Sequence, residues 1–160
     1  MSVNPILKRW RQLGGSRPGR WLCSRMIGFA APYSSSIRAS VQELEPGRAV
    51  LTLRDRRRVR NHLRSIHAAA MMNLCELTGG LLAAASMPAD ARMIIVHFQI
   101  DFLKKARGTL RAQGTCEVPS RADHGELPVE VSVRDRDGDE VARATVTTLV
   151  GAIPGPETAS

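Results

Sequence analysis

Three side chains in the stretch "NHLRSIHAAAMMNLCE", residues 61–76, are of types that carry acid–base and carbonyl chemistry. Asn61 offers an amide, His67 an imidazole and Glu76 a carboxylate. After His67, only Asn73 and Glu76 interrupt a run of Ala, Met, Leu and Cys. Residues 68–85 hold no other ionisable side chain except the thiol of Cys75. A carboxylate buried in such surroundings is costly unless it is paired or neutralised. Desolvation favours its neutral form, which suits a general base or acid working near neutral pH. The alternative is a structural Glu bonded to a backbone group or to an Arg of another chain.

Spacing constrains how these groups could work together. On a helix, His67 and Glu76 point to opposite sides and lie about 13 Å apart along the axis, at about 100° and 1.5 Å per residue. They cannot meet across one helix. A site using both takes the His67 end from one chain and Glu76 from another. The helix is expected from about Ser65, as N-cap, to Ser86, with Pro88 ending it. On that reading the N–H groups of His67 and Ala68 are among the unpaired donors of the first turn. Those donors and the helix dipole favour negative charge and polarise a carbonyl. Asn61 is placed to orient the carbonyl or an attacking water. His67 is expected to position rather than to act as base.

The elements around this helix have their own punctuation. In "NPILKRWRQLGG", Asn4 caps, Pro5 suits the first turn and Gly14-Gly15 stop a short helix whose apolar stripe is Ile6, Leu7, Trp10 and Leu13. A second short helix, about 18–29, carries Trp21, Leu22, Met26, Ile27 and Phe29, expected to cover a core surface. "IRASVQEL", with Ile37, Ala39 and Val41 on one face, and "AVLTL" read as strands joined by the turn "EPG". After the long helix, "RMIIVHFQIDF" alternates Ile94, Val96, Phe98, Ile100 and Phe102 against Ile95, His97, Gln99 and Asp101. "GTLRAQGTCEV" puts Leu110, Ala112, Gly114 and Cys116 on one face, and Asp137-Gly138 marks a hairpin between the last two strands. The reading is an α+β domain in which a mainly antiparallel sheet of about six strands wraps a long central helix. A helix apolar on nearly every side needs further cover, which a second copy of the chain supplies. The expected organisation is a basic helical extension over 1–34, the main domain over 35–151 and a loose tail over 152–160.

The chain has 160 residues and a net charge of +8. Residues 1–42 hold seven Lys/Arg and no Asp or Glu, so the rest is close to neutral. Such an arm suits nucleic acid, anionic lipid or a phosphorylated ligand, or merely rims amphipathic helices. No recognition-helix motif points to nucleic acid. No run approaches the roughly 20 apolar residues of a membrane span. Three widely spaced cysteines, Cys23, Cys75 and Cys116, show neither disulfide nor metal-site spacing, which suits a reducing, cytoplasmic setting. Neither a cofactor nor a metal is expected.

Asn61, His67 and Glu76 form the N-x5-H-x8-[DE] pattern, which resembles that of hotdog-fold thioesterases, closest to the phenylacetate-pathway type of acyl-CoA thioesterase. "APYSSSI", "VRNHLRSIHAAAMMNLCELTGG" and "DFLKKARG" resemble an uncharacterised bacterial branch of that superfamily, over about 4–150. The resemblance implies a hotdog fold and a homodimer, with a tetramer as the alternative. It implies that the Ala68 N–H is the oxyanion donor, that Asn61 holds thioester or water, and that Glu76 reaches in from the other protomer as base or nucleophile. His67-Ala68-Ala69 departs from the usual His-Gly-Gly, and Lys104 stands about where some relatives carry a Ser or Thr. Coenzyme A brings a pyrophosphate and a 3′-phosphate, for which Arg58, Arg60, Lys104, Lys105 and Arg107 are candidates, against a solvated strand end. The expected function is hydrolysis of acyl-CoA thioesters. The alternatives are a non-catalytic acyl-CoA or fatty-acid binder and, behind it, an acyl-thioester dehydratase or hydratase.

Overall fold

The computed structural model describes residues 4–89, 91–119 and 125–152. Two helices come first. The helix α1, Pro5–Leu13, starts at Asn4, whose side chain accepts a hydrogen bond from the Ile6 N–H at 2.9 Å. Gly14 closes it, donating to the Trp10 carbonyl at 2.7 Å. The helix α2, Arg17–Ala30, is capped by Ser16, which accepts from the Gly19 N–H at 3.1 Å. In α1, Leu7 and Trp10 are buried as expected. In α2 the expectation is corrected. Its inner stripe is Cys23, buried, and Ile27, half-buried, one turn apart. Trp21, Leu22 and Phe29 lie on the outer side, and Phe29 is 90% exposed.

The strands are β1 (Ser40–Glu45), β2 (Arg48–Leu53), β3 (Ala91–Phe102), β4 (Leu110–Thr115), β5 (Gly125–Arg134) and β6 (Glu140–Ala152). They form one sheet in the order β1-β2-β4-β5-β6-β3, antiparallel throughout. Ile37 lies before the sheet, in a 3-10 turn at Ser34–Ile37, so the first strand starts later than its alternation suggested. Leu110, Ala112 and Gly114 do share the inner face of β4. The β5–β6 hairpin turns at Gly138, φ +88°, where a side chain would be strained. The Asp135 carboxylate accepts from the N–H groups of Asp137 and Asp139, both at 3.0 Å.

β3 breaks its expected alternation. A bulge between Ile95 and His97, where it pairs with β6, inserts an extra residue. Met93 and Ile95 turn to the core before it, Phe98 and Ile100 after it, and Ile94 and Val96 face solvent. The five residues read as one face therefore belong to two. Among the described residues β3 pairs only with β6, and its other edge is left open.

The long helix α3, Ala68–Ser86, packs against all six strands. Leu74, Cys75, Thr78 and Leu82 are fully enclosed. Burying a leucine of this kind stabilises by about 1.5–3 kcal/mol. Gly79 sets the closest approach of helix to sheet: an added Cβ would stand 2.7 Å from the Val146 Cβ. By length and composition α3 is apolar enough to cross a membrane, which the sequence reading did not count, but 72% of that window is buried inside the fold. This is the helix-in-sheet arrangement of the hotdog fold. Of the expected tail, 153–160 lies outside the described residues, and Ala152 ends β6.

Candidate functional site

The approach to α3 is a tight loop closed on itself. Arg60 and Ile66 form an antiparallel bridge, and Asn61 N–H donates to the Ser65 carbonyl at 2.8 Å. Arg64, at φ +57°, turns the chain inside that bridge. The Asn61 Oδ1 holds the turn by accepting three bonds: from the Leu63 N–H at 2.9 Å, and from the Ser65 N–H and hydroxyl, both at 3.1 Å. This acceptor is saturated, so the amide reaches outward through its Nδ2 donor. Of the two roles expected of Asn61, the geometry suits donation to a carbonyl better than acceptance from a water.

The N-cap of α3 is His67, not Ser65. Ser65 is buried and its hydroxyl is committed to Asn61. His67 has the extended backbone of a cap, φ −66° and ψ 140°, and its Nδ1 accepts from the Ala69 N–H at 3.0 Å. With Nδ1 accepting, the neutral imidazole carries its proton on Nε2. His67 N–H is not free either, since it donates to the Val59 carbonyl at 2.8 Å. The first-turn donor that remains without an acceptor among the described residues is Ala68 N–H, on an exposed residue. It is the donor picked out by the motif.

Glu76 stands in the third turn of α3, and it is half-buried rather than enclosed. The Ser34 hydroxyl donates to its Oε2 at 3.3 Å. The carboxylate forms part of the wall of a cavity of about 400 Å³ between α3 and the α1–α2 pair. Trp10 of α1 and Met26 and Ile27 of α2 face it there. The roof laid down by the N-terminal helices does not close on this side of α3, which is why the carboxylate avoids complete burial. One turn earlier, the buried Asn73 donates to the Tyr33 carbonyl and the Ser36 hydroxyl, both at 3.4 Å. It thereby ties the Ser34–Ile37 turn over the helix. Ser34 escaped the sequence reading because 42 residues separate it from Glu76. Its only signal was the serine run inside "APYSSSI".

Within one chain these groups form two clusters. Asn61, His67 and Ala68 gather at the start of α3. Glu76 lies about 12 Å further along the unbroken helix and on another side of it.

The basic residues divide in the same way. The Ile66 N–H donates to the Ala106 carbonyl at 2.9 Å, and the Asp55 carboxylate accepts from the Gly108 N–H at 3.0 Å. These bonds draw the 55–60 and 104–108 segments to the helix start. Arg60 is paired with Asp55 at 2.5 Å, a bond that holds the Asp55 carboxyl below its ordinary value. Lys104 pairs with Asp139 and approaches Asp135 at 3.8 Å. Two of the five expected phosphate contacts are thus neutralised by the chain's own acids. Arg58, Lys105 and Arg107 are exposed and carry no ion pair among the described residues. Arg56, which donates to the Ile37 carbonyl, has a buried Nε without partner and a pKa lowered by burial and by Arg38, Arg58 and Arg54.

Residues 19–150 match a family model described as a domain of unknown function, DUF4442. Solved structures share the fold. A structural-genomics protein, APC5556, is 33% identical with a TM-score of 0.80, over 92% of this chain and 99% of that chain. A thioesterase family protein from Silicibacter pomeroyi is 21% identical with a TM-score of 0.69, over 83% and 99%. A hypothetical thioesterase protein with coenzyme A, from Streptococcus pneumoniae TIGR4, is 20% identical with a TM-score of 0.66, over 81% and 99%. No curated protein matches the chain. The family match and the helix-in-sheet architecture agree: the chain belongs to the family described as a domain of unknown function, DUF4442, and has the hotdog fold.

Proposed function

We propose that the protein hydrolyses acyl-CoA thioesters as a homodimer, at a site made of Asn61, His67 and Ala68 of one protomer and the partner's Glu76. One observation carries the reading. An uncommitted N–H stands at the start of α3, and the only carboxylate on that helix lies about 12 Å away on another side. Each half lacks what the other supplies. The open edge of β3, 12 residues long with Ile94 and Val96 exposed, offers a surface for pairing two copies. The similarity to the coenzyme A-containing and thioesterase-family structures supports the substrate class.

The mechanism follows from the donors. Ala68 N–H and Asn61 Nδ2 hold the thioester carbonyl, and His67 fixes the helix start by capping Ala69. The partner's Glu76 takes a proton from water as that water attacks the carbonyl carbon. The tetrahedral oxyanion is held by Ala68 N–H. Collapse breaks the C–S bond, and the thiolate takes the proton held by the partner's Glu76, leaving as the free thiol of coenzyme A and restoring the carboxylate. Arg58, Lys105 and Arg107 receive the phosphates; they are among the cations near the helix start, with Arg57 and Arg64, that no acid claims among the described residues.

The test is thiol release from a panel of short, long and aromatic acyl-CoAs. Glu76→Gln keeps the shape and removes the base, so the rate should fall by about 10²–10⁴. Turnover of Glu76→Gln at the wild-type rate would sink the mechanism. A second reading, a non-catalytic acyl-thioester binder, is favoured by Lys104. It occupies the position of a hydroxyl found in some relatives, yet is tied to Asp139. That reading predicts saturable acyl-CoA binding with no thiol released after long incubation.

A further inference from the structure

Gly79 and Gly80 sit side by side in α3, but for different reasons. Gly79 faces the sheet, where the closeness of Val146 leaves no room for a Cβ. A Cβ added at Gly80 would meet nothing within 4 Å. Gly80 is not at positive φ either, so neither packing nor backbone geometry calls for glycine. A glycine inside a helix lowers stability relative to alanine. Its side opens into the cavity under α1 and α2, one turn beyond Glu76 on the same face.

That cavity has the properties of a ligand pocket. Its volume, about 400 Å³, falls within the range of small-molecule sites. Its walls are mainly apolar, with Trp10, Ile27 and Leu81 among them, and its acid is Glu76, beside the Ser34 hydroxyl. From Glu76 to Gly80 it runs about 6 Å along the helix axis. The reacting carboxylate therefore stands on the wall of an apolar channel formed by the chain's own N-terminal helices.

We propose that this cavity receives the acyl chain, so that the α1–α2 extension sets the length of acyl group the protein accepts. The inference rests on the assignment of Glu76 to the reacting centre. One protomer holds the thioester carbonyl at Ala68 N–H. The partner, which supplies Glu76, sheathes the hydrocarbon between its helices.

The experiment uses the full chain and straight-chain acyl-CoAs from acetyl to palmitoyl, read by thiol release and by calorimetric binding. In the wild type kcat/KM rises about fourfold per methylene until the pocket is full. Gly80→Leu fills the channel: the profile turns over at a shorter chain, with at least a tenfold loss for the longest substrates and little change for the shortest. Its melting temperature stays close to wild type, since a Cβ at this position meets nothing within 4 Å and a glycine leaves the helix. Met26→Phe, from the opposite wall, repeats the test should Gly80→Leu not fold. Thiol release with an unaltered chain-length profile in the filled variants overturns the pocket and leaves the hydrolase standing. No thiol release, but chain-length-dependent binding that Gly80→Leu shortens, overturns hydrolysis and upholds the pocket. Neither release nor chain-length-dependent binding overturns both.

Discussion

Asn61 holds two roles that one pair of substitutions separates. Its Oδ1 accepts three hydrogen bonds, two of them from Ser65, which is only 3% exposed. Asn61→Ala leaves the Ser65 N–H and hydroxyl without that acceptor. An orphaned buried group costs about 1–3 kcal/mol. Water reaches the half-buried position 61, so the lower part of that range applies to each. The expected loss is about 2–3 kcal/mol, or about 4–12 °C in melting temperature for a chain of this size. Asn61→Asp keeps an oxygen where Oδ1 stands and puts a carboxylate oxygen, with its negative charge, in place of the Nδ2 donor. It should melt within about 3 °C of wild type, a difference of about 1 kcal/mol, yet lose thioester turnover by about tenfold or more, the worth of one donor to the carbonyl. Thermal unfolding at one fixed protein concentration and initial rates of thiol release make the comparison. An Asn61→Ala variant as stable as wild type would mean the loop does not hang on Asn61. An Asn61→Asp variant as active as wild type would remove Nδ2 from the mechanism.

Two further outcomes follow from packing. Gly79→Ala should destabilise, by about 1–3 kcal/mol, because its methyl enters the Val146 side chain, whereas Gly80→Ala should stabilise by up to about 1 kcal/mol; denaturant titration of the pair reads both. Burial pushes the Cys75 thiol up to about 12, so at pH 8 it stays protonated and should resist iodoacetamide in the native protein, then alkylate fully once the chain is unfolded in urea. Mass spectrometry of the Cys75 peptide would decide it, and rapid alkylation of the folded protein would refute the enclosure.

Local chemistry made much of the fold legible. Asn4 followed by Pro5, Gly14 after Leu13, Pro88 after Ser86 and Asp137-Gly138 mark ends and turns through groups close in sequence. The regular alternation of β4 survived intact. Misreadings arose where tertiary contacts chose between local options. Ser65 and His67 can both cap a helix, and the choice fell to His67 because Asn61 had claimed the serine hydroxyl. Trp21 and Phe29 look like core by composition, but the inner stripe of α2 belongs to Cys23 and Ile27. The bulge in β3 has no local mark, since "MIIVHFQI" alternates as well with it as without it. At the candidate site, the motif singled out Asn61, His67, Ala68 and Glu76, which the fold divides between the start of α3 and its third turn. It gave no hint of Ser34, which reaches Glu76 only after the chain folds back over α3. It also could not distinguish Lys104, drawn off by Asp139, from Lys105.

The unpaired edge of β3 has a consequence for the life of the newly made chain. A lone protomer displays a 12-residue strand with open backbone donors and acceptors beside the exposed side chains of Ile94 and Val96. Such an edge templates pairing with any extended segment it meets. No proline interrupts it and, between Met93 and Gln99, no Lys, Arg, Asp or Glu guards it. An extended segment of another newly made chain is therefore the main hazard for this protein, and its yield in a cell should fall as the concentration of unfolded chains rises.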